Sequence, residues 1–149
     1  MDLRERFGRP LRLACIGGGP DSWIGRMHRG AAEFDGWWRV AAGVFSGDPA
    51  RSRDAGAALG LEAARCYGSV DELLAAEARR ADRVDAVAIM TPNDTHHRFA
   101  AAALDAGLDV ICDKPVSQTH AQALDLVARV KASGRQFAIT HGYSAYPMV

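Results

Sequence analysis

Short apolar runs at residues 11–16, 40–45, 84–90, 109–112 and 136–140 recur along this chain, separated by stretches with helical periodicity. This alternation narrows the possible folds more than any other feature. The runs are rich in Val and Ile, as strands buried on both faces should be. A shorter run at 65–67 is a sixth candidate. The helices between them have readable ends. Asp48-Pro49 is a cap followed by a first-turn proline, while Ser69-Val70-Asp71-Glu72 and Thr119-His120-Ala121-Gln122 have the capping-box pattern. Gly60, Gly107 and Gly134 stand where helices should stop.

Strands joined by helical crossovers pair in parallel, because right-handed crossovers lay the helices on the sheet faces. The expected fold is therefore α/β, a doubly wound parallel sheet of the Rossmann type. It should have about six strands in the order 3-2-1-4-5-6, in a single domain. In such a sheet ligands bind beyond the carboxyl ends of the strands, where the order reverses beside the first. A chain of 149 residues buries about 68–70% of its extended surface, enough for one core. Eighteen basic and eighteen acidic side chains leave no net charge, which argues against nucleic acid or an anionic membrane as partner. Cys15, Cys66 and Cys112 have no metal-ligand spacing, so no metal site is expected and buried, reduced thiols are the ordinary reading. Asp2, Arg4, Glu5, Arg6 and Arg9 interrupt any leader-like apolar segment, and no later run is long enough to span a bilayer. A cytoplasmic location is expected.

The chemistry should lie just after the strands. The first strand runs into Gly17-Gly18-Gly19-Pro20-Asp21-Ser22-Trp23-Ile24-Gly25. Glycines at such a turn let a pyrophosphate approach the backbone and the N–H groups of the next helix. Gly17, Gly19, Trp23 and Ile24 are the candidate contacts, although the usual third glycine position is Ser22 and Gly25 comes three residues late. After the second strand, Ser46-Gly47-Asp48-Pro49-Ala50-Arg51 places a serine where an NAD-binding domain usually has a ribose-binding carboxylate. Ser46, Gly47 and Arg51 could hold a 2′-phosphate. NADP is the preferred cofactor and NAD the alternative, since Asp48 could swing to the ribose. In the blander reading Asp48 only caps a helix and Arg51 is solvated.

Thr91, Pro92, Asn93 and His96 follow the strand at 84–90, with Thr95 as a helix cap and His96 preferred over His97 as a cleft residue. Asp113, Lys114 and Pro115 follow the strand at 109–112. Lys114 and Lys131 are the only lysines. A compact ammonium at this edge suits a site that polarises a hydroxyl or carbonyl. Its alternative role is an ion pair with Asp113 or another acid. Trp37-Trp38 is core and edge packing rather than a sugar platform.

Gly17-Gly18-Gly19, Thr91-Pro92-Asn93 with His96, Cys112-Asp113-Lys114-Pro115 and Thr140-His141-Gly142-Tyr143, in this order, resemble the amino-terminal domain of the Gfo/Idh/MocA oxidoreductases. The resemblance runs from about residue 11 to 149. It implies Lys114 as the catalytic residue beside the nicotinamide and the substrate hydroxyl, with Asn93 and His96 lining the nicotinamide side. It also implies that Ser46, Gly47 and Arg51 hold the adenosine phosphate. Asp113 stands where Glu is commoner and Gly142 where Asn is frequent. Members of the family continue into a second α/β domain that holds a sugar or polyol and usually forms a homo-oligomer. The expected organisation is an extension at 1–10, the dinucleotide-binding domain at 11–141 and the start of a connection to a missing substrate domain at 142–149. Such a fragment should bind NADP or NAD and turn over little. A stand-alone nucleotide-sensing or partner-binding module, or a small subunit completed by another chain, are the competing readings. An exposed apolar patch at Tyr143, Tyr146 and Met148 would favour a domain separated from its partner.

Overall fold

The computed structural model describes residues 7–145 and 147. Five parallel strands form one sheet: β1 (Leu11–Gly17), β2 (Trp38–Val44), β3 (Ala86–Met90), β4 (Asp109–Asp113) and β5 (Phe137–Thr140). Their order is β2-β1-β3-β4-β5. Five helices join them: α1 (Trp23–Glu33), α2 (Pro49–Ala58), α3 (Val70–Glu77), α4 (His96–Asp105) and α5 (His120–Ser133).

The doubly wound fold is the one expected, with five strands where about six were counted. The segment at 65–67 forms a single parallel bridge, Cys66 to Gly43 on β2, rather than a strand. Two local preferences shorten it. Residues Ala63–Arg65 close a 3-10 turn before it, and Ser69 caps α3 immediately after it. The bridge pairs with β2 but adds no strand, so the sheet has five strands in the order 2-1-3-4-5 in place of the expected six in the order 3-2-1-4-5-6. That contact is reinforced by a side chain. Buried Ser52 of α2 accepts from Phe45 N at 2.9 Å and donates to Tyr67 O at 2.6 Å.

The sheet has an apolar cluster on each face. The larger joins Ile16, Val44, Val87, Ile89 and Val110 to α3, α4 and α5 through Leu73, Leu104 and Leu126. The smaller joins Leu13, Cys15, Val40, Ala86 and Ala88 to Ile24 and Ala32 of α1, with Trp38 against its edge. All three cysteines are free and buried, and burial pushes the Cys15 and Cys112 thiols up to about 12. Asp48, Ser69 and Thr119 cap α2, α3 and α5. Thr95 departs from expectation, since its hydroxyl bonds Thr91 Oγ1 and Pro92 O instead of capping α4. Among the described residues, no helix is long and apolar enough to cross a membrane.

Candidate functional site

A cleft of about 680 Å³ opens at the carboxyl ends of β1, β2 and β3, where the strand order reverses. This is the ligand position expected of a doubly wound sheet, and its size lies within the roughly 300–1,000 Å³ of cofactor sites. Gly17, Gly18, Gly19, Ser46, Gly47, Thr91 and Pro92 line it.

The glycine loop is shaped by close approaches. Gly17 and Gly18 have φ of +83° and +68°, a region that disfavours residues with a side chain. A Cβ on Gly17 would lie 2.7 Å from Met90 O, and one on Gly18 would lie 2.8 Å from Met90 Sδ. Ser22 is the N-cap of α1, accepting from Gly25 N at 3.1 Å. Gly25 is buried, and a Cβ there would run into the backbone of Gly18. The late glycine thus performs the helix-to-loop packing usually assigned to the third glycine of the motif. The Arg29 guanidinium also donates to Gly18 O. Trp23 and Ile24 do not line the cleft: Trp23 is 67% exposed and Ile24 packs into the smaller cluster.

At the end of β2, Ser46 Oγ accepts from Asp48 N at 3.1 Å, and Asp48 Oδ1 accepts from Arg51 N at 2.8 Å. The Asp48 carboxylate is thereby turned to its helix, and the cleft lining directly after β2 consists of Phe45, Ser46 and Gly47. Arg51 is exposed, outside the lining, and its guanidinium has no partner among the described residues. Two charged residues that sequence reasoning missed do line the cleft. Asp71 lies in the first turn of α3, and Arg98 of α4 stacks 4.5 Å from the Phe99 ring centroid. The only signal for Arg98 was its place five residues past the Thr91-Pro92-Asn93 segment.

His96 is not a cleft-lining side chain. It is 1% exposed, with Nδ1 2.8 Å from Pro115 O and Nε2 2.8 Å from Thr91 O. Asn93 is exposed and also outside the lining. Asp113, Lys114 and Pro115 sit at the end of β4, beside β3 but beyond the lining. Lys114 is exposed without an ion-pair partner among the described residues; Asp113 faces His28 Nε2 at 3.2 Å instead. Tyr143 is 75% exposed, whereas Tyr146 and Met148 lie outside the described residues.

The fit to a dinucleotide is direct. The turn at Gly17 and Gly18 excludes Cβ atoms, the helix behind it is held close by Gly25, and polar groups converge at both ends of the cleft. This fold and cleft are those of a dinucleotide-binding domain of the doubly wound class.

Residues 11–141 match the model of the Gfo/Idh/MocA oxidoreductase family, described as an NAD-binding Rossmann fold, and the chain belongs to that family. It is 39% identical over 144 residues to the oxidoreductase YfiI of Bacillus subtilis, covering 96% of this chain and 37% of that protein. Identity to inositol 2-dehydrogenase 4 of Saccharopolyspora erythraea is 34% over 130 residues, covering 86% of this chain and 35% of that protein. The inositol dehydrogenase homologue of Azotobacter vinelandii, solved with NADH and myo-inositol, superposes with a TM-score of 0.88. Its identity is 43%, over 91% of this chain and 36% of that one. The chain therefore spans little more than a third of the length of each.

Proposed function

We propose that this chain is the dinucleotide-binding domain, residues 11–141, of an oxidoreductase that passes a hydride between a nicotinamide and the hydroxyl-bearing carbon of a sugar or polyol. The observation that carries the reading is the cleft at the strand-order reversal, floored by Gly17, Gly18 and Gly19 and flanked by Ser46 and Thr91. Sugar or polyol as substrate class follows from the inositol dehydrogenases to which the chain is similar.

The nicotinamide, when bound, supplies the hydride donor or acceptor. The chain's own residues bind and orient it. Gly17 and Gly19 with the start of α1 receive the pyrophosphate, with Trp23 and Ile24 at the helix N-terminus. Ser46 and Gly47 donate to the adenosine ribose and its phosphate, with Arg51 supplying charge from the next helical turn. With Asp48 committed to its helix cap, this end of the cleft favours NADP over NAD. Thr91, Pro92 and Asn93 border the nicotinamide side, with Asp113 and Pro115 framing Lys114. The unpaired Lys114 ammonium stabilises the alkoxide that develops on the substrate oxygen. A second portion of the intact protein holds that substrate.

Calorimetric titration with NADPH and with NADH, repeated on Arg51→Ala, tests the reading. NADPH should bind more tightly, and Arg51→Ala should erase most of the preference, by about 1.5–3 kcal/mol for a lost hydrogen bond to a charged group. Equal binding of both cofactors by both proteins would remove the NADP assignment. Binding of neither by the unmodified chain would remove the dinucleotide reading.

A further inference from the structure

The residues on either side of Lys114 are each tied to a histidine, and the two histidines come from helices on opposite faces of the sheet. On the α1 face, His28 Nε2 lies 3.2 Å from Asp113 Oδ1, with side chains only 10% and 17% exposed. On the α4 face, buried His96 faces Pro115 O with Nδ1 and Thr91 O with Nε2, both at 2.8 Å. Lys114 between them is exposed and makes no hydrogen bond or ion pair among the described residues. Its neighbours are fixed while its ammonium is free.

Both atoms facing His96 are carbonyl oxygens, which can only accept. The ring must donate, and a neutral imidazole has one N–H to give. Whichever nitrogen carries it, the ring spans the gap between the cleft wall at Thr91 and the turn that carries Lys114. His28 makes the corresponding link from α1, whose N-terminus begins just after the glycine loop.

We propose that His28 and His96 are positioning residues that clamp the Lys114 turn from both faces of the sheet and hold its ammonium in register with the cleft. The proposal rests on the reading of Lys114 as the substrate-side cation. Neither histidine is an acid or base in the reaction. Misplacement of a reacting group by about 1 Å can cost on the order of 100-fold in rate, which is why a flexible lysine needs a fixed base.

The lysine content makes the test selective. Lys114 and Lys131 are the only lysines, so dimethylation with ¹³C-formaldehyde gives two side-chain signals beside that of the amino terminus, and Lys114→Arg identifies the first. Spectra of the unmodified chain, His28→Ala and His96→Gln are compared with and without NADH. In both variants the Lys114 signal should shift or broaden and its response to NADH should shrink, while Lys131 stays in place. His28→Asn, which keeps a donor, should restore part of the signal. Lys114 signals superimposable on the original in folded His28→Ala and His96→Gln would overturn the clamp. Should His96→Gln fail to fold, His28→Ala and Asp113→Ala decide the matter, since both cut the α1 link at a partly exposed site. If neither NADH nor NADPH moves a signal in the unmodified chain, the cofactor reading fails, whereas the clamp is judged on the ligand-free spectra.

Discussion

Gly25 and Gly30 lie on the same helix and differ in everything but their side chain. A Cβ on Gly25 would meet the Gly18 backbone, with Gly18 C at 2.6 Å and Cα at 2.7 Å, while one on Gly30 would meet nothing within 4 Å. Gly25→Ala should therefore push α1 off the glycine loop, costing about 1–3 kcal/mol as overpacking does and weakening NADH binding with it. Gly30→Ala should stabilise by about 0.5–1 kcal/mol and leave binding unchanged, because it only restricts the unfolded chain and improves helix propensity. Thermal unfolding and NADH calorimetry on the pair check both statements, and equal effects at the two positions would refute the packing role of Gly25. Periodicity located this loop but could not tell a glycine required by packing from one that is merely tolerated. That difference depends on a tertiary neighbour, Gly18 seven residues earlier. His96 shows the same limit, since its place after Thr91-Pro92-Asn93 was legible and its inward direction was not.

Among the elements, α3 is anchored by a buried ion pair. Arg65 and Glu77, 5% and 1% exposed in their side chains, pair through Nε–Oε1 at 3.0 Å and Nη2–Oε2 at 2.6 Å. The Glu77 oxygens also accept from Tyr67 Oη at 2.8 Å and Val84 N at 2.9 Å. Burial, followed by this carboxylate, pushes the Tyr67 phenol up to about 12. The network fastens α3 both to the shortened third-strand segment and to the residue that leads into β3. Removing one partner of such a pair leaves the other charge buried, so Glu77→Ala should cost about 3–5 kcal/mol, read from the midpoint of urea unfolding. A loss under about 1 kcal/mol would mean that water reaches Arg65 and the pair carries no structural weight. The sequence shows why this element was readable only in part. The Ser69 cap is local, whereas the partner of Arg65 lies twelve residues on and is set by the fold.

For the molecule as a whole, one carboxylate closes the amino-terminal edge of the sheet. Asp85 accepts from both Arg9 terminal nitrogens, at 2.7 and 2.9 Å, and from Arg12 N at 2.7 Å. Burial raises its pKa, but the Arg9 and Arg12 hydrogen bonds outweigh that, so the carboxyl stays below the usual aspartate range. A depressed folded-state value contributes stability that is complete above the unfolded value of about 3.9 and is lost as pH falls through the lower folded value. Asp85→Asn should therefore lower stability by about 1–3 kcal/mol at neutral pH and bring the two proteins together in acid, as followed by unfolding at a series of pH values. Parallel curves for the two proteins would assign the loss to packing instead. The strand alternation made the sheet legible at this scale, down to the order beside β1, because buried parallel strands announce themselves as apolar runs. The sixth strand was overcounted because Cys66 and Tyr67 are apolar for a different reason, being buried beside α2 and α3 with hardly any ladder to form.

The Ser52 hydroxyl, bonded to Phe45 N and Tyr67 O, replaces at that edge the ladder a longer third strand would have made. The stretch from Ser46 to Tyr67 is thus a loop-and-helix cassette spliced onto the sheet by one side chain and one bridge. Under the proposed reading of Ser46, Gly47 and Arg51, cofactor preference belongs to that cassette and sheet geometry lies outside it. On that reading, one coenzyme could be exchanged for the other by substitutions within the cassette, with the scaffold left as it is.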